Sequence, residues 1–240
     1  MQPDLPAQPR VPSRTVHCAD ALVWLREQPV LAGCSFFTSM PDRTELPSLL
    51  HAEWPKWFED AAALVISKTP DDGAALFYQS DVKRDGLWVD KAYLVQKAAE
   101  RMGASLLWHK VVCRRAPGTI TYGRAGYGNL LCFSRGLRQD LGRATADVLA
   151  AEGELTWVRA VGLEAARVAC RWIAGQTQTR TVVDPFCGVG TALAVANGLG
   201  LDAIGVELNQ KRARKARGLD LAAARGLTSP AQPEDDAKEE

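Results

Sequence analysis

At 240 residues, 47% hydrophobic and 24% charged, the chain is long enough to bury one substantial core and has the composition of a single soluble domain. A formal net charge of +1 excludes the uniformly basic field of a protein that coats nucleic acid, so a polyanion must be met by a local patch. Six cysteines without a CxxC pair or zinc-ligand spacing predict reduced, mostly buried thiols and no metal. No secretory leader or membrane-length apolar run is visible, which gives a cytoplasmic expectation.

Residues 1–14, with proline at 3, 6, 9 and 12, and residues 227–240, mostly Pro, Ala and acidic from Ser229 on, are expected to be unfolded tails around one unit at 15–226. Within that unit, short apolar runs predict strands at Thr15–Cys18, Ser35–Thr38, Ala74–Gln79, Ser105–Val112, Asn129–Ser134, Thr181–Asp184 and Ala203–Glu207. Helical periodicity falls at Ala19–Glu27, Ala52–Ser67, Val89–Met102, Leu163–Ala174, Gly190–Leu199 and Gln210–Ala224. The alternation predicts an α/β fold, a doubly wound and mostly parallel sheet.

Three polar segments follow strands, where ligands sit in such sheets. After the second strand come Ser39, Met40, Pro41 and Asp42. Asp42 has two readings: with Glu45 it forms a capping-box pattern, or it accepts a proton or hydrogen bond from a substrate, with Glu45 one turn on. After the third strand come Tyr78, Gln79, Asp81 and Lys83. Farther on, Lys110, Arg114, Arg115 and Arg124 are interleaved with Tyr122 and Tyr127, a pattern suited to phosphates and unpaired bases or to an ordinary solvated loop. The basic run from Lys211 to Arg217 spreads round a helix and reads as solvated, and His51 as surface.

Val182-Val183-Asp184-Pro185-Phe186-Cys187-Gly188-Val189-Gly190-Thr191 leads from an apolar strand through a glycine turn into a helix of small residues. Glycines there permit positive φ and close approach to a ligand, and the helix start offers free N–H groups. The next strand ends in Glu207, placed to accept hydrogen bonds from two ribose hydroxyls. A dinucleotide fingerprint does not fit, because its third glycine is Leu193.

Asp-Pro-Phe-Cys-Gly-Val-Gly-Thr followed by Gly-Val-Glu-Leu-Asn resembles the cofactor loop and ribose acid of the S-adenosylmethionine (SAM)-dependent amino-methyltransferases, which act on exocyclic amines of nucleic-acid bases. The resemblance continues over roughly Thr15 to Ala224 in a circularly permuted order similar to one group of DNA N4-cytosine and N6-adenine methylases, with the catalytic half first. It implies a Rossmann-like methyltransferase fold and SAM as cofactor. Asp184, Phe186, Gly188, Gly190 and Thr191 would surround its amino-acid half and Glu207 would hold its ribose. Thr38, Cys187, Leu208 and Asn209 would complete the site. Asp20 would contact the adenine amine, or simply stabilise its helix start. Gly162-Leu163-Glu164 departs from the family pattern and is assigned only packing.

Ser39-Met40-Pro41-Asp42 departs from the family's catalytic tetrapeptide, which ends in Pro-Pro and an aromatic residue. Ser39 Oγ and the Met40 carbonyl would orient the amine, with Pro41 stiffening the turn. Asp42 cannot stack on a base, leaving Phe37, Trp88, Tyr122 or Tyr127 for that. Substrate contacts are expected from Glu45, Tyr78, Gln79, Asp81, Lys83, Lys110, Arg114, Arg115 and Arg124. The expected function is methylation of a base amine, RNA favoured over DNA because residues 135–162 leave little room for a duplex-reading domain. A small-molecule methyltransferase and an idle SAM- or RNA-binding subunit are the alternatives.

Overall fold

The computed structural model describes residues 10–46, 49–50 and 52–221. Ten strands are described: β1 (Arg14–His17), β2 (Cys34–Thr38), β3 (Ala75–Gln79), β4 (Val82–Arg84), β5 (Leu87–Val89), β6 (Ser105–Cys113), β7 (Tyr127–Ser134), β8 (Val148–Leu149), β9 (Thr181–Asp184) and β10 (Asp202–Val206). The helices are α1 (Ala21–Glu27), α2 (Trp54–Lys68), α3 (Lys91–Arg101), α4 (Leu163–Gln176), α5 (Thr191–Gly198) and α6 (Gln210–Gly218). Eight strands form one sheet in the order β1-β10-β9-β2-β3-β7-β6-β8. Only β7 runs against the rest.

Both faces of the sheet are covered, which is why its central strands are unbroken apolar runs rather than alternations. Phe37, Leu76, Leu130 and Val182 pack with α4, α5 and α6 on one face. Phe36, Phe77, Leu131 and Val183 pack with α2, α3 and Leu25 of α1 on the other. The expected strands and helices are present with shifts of one or two residues at their ends, except that the helix expected over Gln210–Ala224 ends at Gly218, and residues 222–224 lie outside the described part.

The chain departs from expectation at both margins of the sheet. Of the residues assigned to the first tail, 1–9 lie outside the described part, whereas Ser13 donates from N and Oγ to Asp202 Oδ1 at 2.7 and 2.9 Å and Arg14 already opens β1. The second tail and His51 also lie outside the described residues. The polar segment after β3, for which no strand was expected, folds into the β4–β5 hairpin, whose turn places Asp85 and Gly86 at φ +51° and +72°. That Asp-Gly pair is itself a hairpin signal.

Gly190 caps α5 at φ +90°, and a Cβ there would lie 2.9 Å from both Cα and Cβ of Ala216. Gly190→Ala therefore combines left-handed strain with a backbone clash. We expect a loss of about 1–3 kcal/mol, read by urea denaturation; an unchanged midpoint would show that α6 yields freely.

Candidate functional site

The sheet changes direction between β9 and β2. From β9 the chain crosses through α5 to β10 on one side, and from β2 it crosses through α2 to β3 on the other. Loops diverging from such a switch point leave a cleft at the carboxyl ends of the strands. Here the cleft is a cavity of about 340 Å³.

Three neighbouring strands each deliver an acid to it: Asp20 just after β1, Asp184 ending β9, and Glu207 just after β10. Asp184 is buried, and its Oδ1 accepts from Thr38 Oγ1 at 2.7 Å and Phe186 N at 3.1 Å. Burial pushes its carboxyl up to about 7, although those two bonds pull it down. Glu207 Oε1 accepts from Asn209 N at 2.7 Å and from Arg212 Nε at 2.9 Å, and pairs with the far end of the same guanidinium at 2.8 Å; none of these contacts engages Oε2. Asp20 Oδ1 accepts from Leu22 and Val23 N, so it caps α1 and lines the cavity at once.

Ser39, Met40 and Pro41 form the floor turn of this cavity, and Ser39 and Met40 also border a second one of about 50 Å³. The smaller space is walled by ion pairs. Asp42 Oδ2 stands 3.2 Å from Arg124 and 3.6 Å from the buried Lys91 ammonium; Arg114 faces Glu152 at 3.4 Å and Arg159 faces Glu45 at 3.6 Å. Tyr78 donates to Glu152 Oε2 at 2.8 Å. Asp42 also closes a capping box with Glu45, so its capping role and its charged role coexist.

A strap leading into α4 covers both spaces. Its Glu152, Trp157 and Arg159 are lining residues, Thr156 bonds to Thr191, and Trp157 lies 5.5 Å beneath the Arg212 guanidinium. Sequence reasoning missed Lys91, Glu152, Trp157, Arg159 and Arg212. Arg212 carried a signal, as it opens the helix directly after Glu207; the others carried none.

Of the expected cofactor residues, Asp20, Thr38, Asp184, Phe186, Cys187, Gly188, Thr191, Glu207 and Leu208 line the large cavity. Burial and the nearby Asp184 and Glu207 charges raise the Cys187 thiol, making it an inert wall rather than a nucleophile. Gly190 and Asn209 do not line it. Gly190 is a glycine for Ala216's sake, and Asn209 caps α6 through Lys211 and Arg212 N. Gly162 packs against the Glu152 carbonyl, where a Cβ would come within 2.1 Å.

Of the expected substrate residues, Glu45, Tyr78, Gln79, Arg114 and Arg124 reach the smaller cavity. Four do not. Lys110 alternates with Trp108 and Val112 into the core, where its ammonium donates to the Thr145 and Ala146 carbonyls. Asp81 is buried and accepts from Lys91 N and Asn129 Nδ2. Lys83 donates to Thr121 and covers Trp88, and Arg115 lies outside both spaces. The basic run of α6 is not wholly solvated, since Arg212 holds Glu207 and Arg217 donates to the Val16 carbonyl. The aromatics offered for stacking do not reach the smaller cavity; Trp88 and Tyr122 are 48% and 77% exposed outside it. Among the described residues no helix is long and apolar enough to cross a membrane.

No protein-family model matches the chain, and no curated protein matches it significantly in sequence. Solved structures do resemble it. A protein assigned as a DNA modification methylase of Thermus thermophilus superposes with a TM-score of 0.66 at 21% identity, over 86% of this chain and 93% of that one. The same protein complexed with S-adenosyl-L-methionine gives 0.64 at 21% identity, over 85% and 91%. The cytosine-N4-specific PvuII DNA methyltransferase gives 0.65 at 16% identity, over 91% and 94%. The chain thus has the α/β, Rossmann-like fold of these methylases.

Proposed function

We propose that the chain is a SAM-dependent methyltransferase that acts on an exocyclic amine of an unpaired nucleic-acid base, with RNA as the favoured carrier. The observation that supports it most is the convergence of Asp20, Asp184 and Glu207 on one cavity beside the Ser39–Pro41 turn. A nucleoside with hydroxyls, an amine and a positive charge suits three carboxylates. When bound, SAM supplies an electrophilic methyl on a sulfonium. Glu207 would hold its ribose, Asp184 its ammonium through the oxygen not used by Thr38 and Phe186, and Asp20 its adenine amine.

The amine of a base is a weak nucleophile because its lone pair is spread into the ring, so orientation matters more than strong basicity. Ser39 Oγ and the Met40 carbonyl, at the boundary of the two cavities, would accept its two hydrogens and turn the lone pair toward the methyl. Arg159 of the strap lines both cavities at that boundary, and Trp157 lines the large one. The RNA preference rests on residues 135–162, where the described elements are a three-residue helical turn and the two-residue β8, too little to enter a major groove and read a duplex site.

The test offers the purified chain labelled SAM with total RNA, single-stranded DNA, duplex DNA and small amines. Transfer to RNA is expected; transfer confined to a defined duplex sequence, or to small amines, would overturn the reading. Glu207→Ala should weaken SAM at least tenfold by calorimetry, about 1.4 kcal/mol, and unchanged affinity in a folded variant would remove the ribose assignment.

A further inference from the structure

The strap leading into α4 is built as an Ω-loop with a firm base and a lightly tied tip. At the base, Leu163 N donates to the Glu154 carbonyl at 2.9 Å, and Glu164 N and Ala165 N donate to the Glu152 carbonyl at 2.9 and 3.3 Å. Residues 155–162 therefore leave and re-enter at one point. Two glycines permit so close an approach. A Cβ on Gly153, at φ +84°, would come within 2.6 Å of Glu164 N, and one on Gly162 within 2.1 Å of the Glu152 carbonyl oxygen. From this base the chain runs straight into Leu163, Ala165, Ala166 and Ala169 of α4, all buried.

The tip is tied by side chains instead. Thr156 Oγ1 meets Thr191 Oγ1, Trp157 lies 5.5 Å from the Arg212 guanidinium, and Arg159 faces Glu45 at 3.6 Å; the bond from Ala160 N to the Trp157 carbonyl stays inside the loop. A cation over a ring and a partly exposed ion pair are individually weak, and Val158 between them is 62% exposed. Such a segment opens at a free energy far below that of global unfolding. Yet the tip is wall to both cavities: Trp157, Arg159, Ala160 and Val161 line the large one, and Val158, Arg159 and Ala160 the smaller. One guanidinium serves both Trp157 and Glu207.

We propose that residues 155–162 are a lid, swinging on the paired base at Glu152–Glu154 and Leu163–Ala165 to admit and release the occupant of the large cavity. The stack of Glu207, Arg212 and Trp157 is its latch, so a ligand that engages Glu207 meets there the group that holds the lid shut. The choice of SAM as that ligand rests on the proposed function.

A crosslink in the full chain tests this. Thr156→Cys with Thr191→Cys puts two thiols where the hydroxyls already meet, and the same protein is read oxidised and reduced, with oxidised Thr191→Cys alone as the control for the native cysteines. Oxidised before SAM is added, the double variant should take it up roughly tenfold or more slowly than when reduced; oxidised after loading, it should release SAM more slowly by a similar factor. A fixed wall would change affinity without trapping the ligand in both directions. Trypsin cleavage after Arg159, which needs the tip to leave its seat, is read without ligand and should slow by roughly tenfold or more on oxidation. Trp157→Ala, which removes the latch without any crosslink, should speed that cleavage by a similar factor. Unchanged SAM exchange in the oxidised protein, cleavage that oxidation does not slow, or cleavage that Trp157→Ala does not speed would overturn the lid. Cleavage that responds as expected in a reduced protein that binds no SAM would sink the cofactor reading and leave the lid standing.

Discussion

Asp42→Ala is expected to cost about 3–5 kcal/mol of unfolding free energy, because it leaves the Lys91 ammonium buried without its counter-charge. Arg124, the other partner of Asp42, is half-exposed and can rehydrate; Lys91 at 3% exposure cannot. Burial already lowers the Lys91 pKa below its ordinary value, outweighing the attraction of Asp42. A lysine depressed in the fold contributes stability that is complete above its unfolded pKa of 10.5 and is lost as pH falls through the folded value. Without Asp42 that depression deepens, so the cost of the substitution should shrink as pH is raised toward 10.5. Asp42→Ala combined with Lys91→Met should recover most of the loss. Urea denaturation of the three proteins checks this: a single-variant loss below about 1 kcal/mol, or a double variant no more stable than the single, would show that the pair does not hold the turn.

The second large effect is expected at Asp184. Burial raises its carboxyl from an ordinary 3.8 to about 7, so the fold favours its protonated form. The stability this contributes is fully present below about pH 4 and is lost as pH rises through about 7, in total on the order of 4 kcal/mol. Asp184→Asn, which fixes the neutral shape, should match the wild type near pH 4 and exceed its stability progressively toward pH 8. A cationic group bound at Asp184 reverses the preference, so SAM affinity should rise with pH up to about 7 with release of a proton, seen as a buffer-dependent binding enthalpy. In Asp184→Asn both signatures should vanish. If stability of the variant runs parallel to wild type across that window, Asp184 is ionised in the free protein.

The central strands are legible in the sequence because burial on both faces writes them as apolar runs. Val182-Val183 ahead of Asp184-Pro185 marks both the end of β9 and the turn that follows. Lys110 reads as a loop cation from its basic neighbours, although the two-residue period through Trp108 and Val112 places it inside. The cofactor-side acids are legible because each ends or directly follows a strand. The ion-pair wall is not, because Asp42, Lys91, Arg124 and Glu152 come from separate elements and no spacing in the chain registers their meeting. Asp42 reads as a choice between cap and charge because the sequence shows only the cap; its cationic partners exist only once α3 and the 114–126 loop have packed.

The strand order has a consequence during synthesis. β1 and β2 are translated first, yet the two places between them in the sheet belong to β9 and β10, which are made last. While the ribosome works through the intervening residues, β2 can pair with β3, and β7 and β6 can join, but its other edge at Cys34–Phe36 stays bare. An open apolar edge is a template for pairing with other chains. The nascent protein thus keeps that border unprotected while residues 39–180 are made, and β9 and β10, the last of the described strands, are the ones that seal it and bring Asp184 and Glu207 to the cavity.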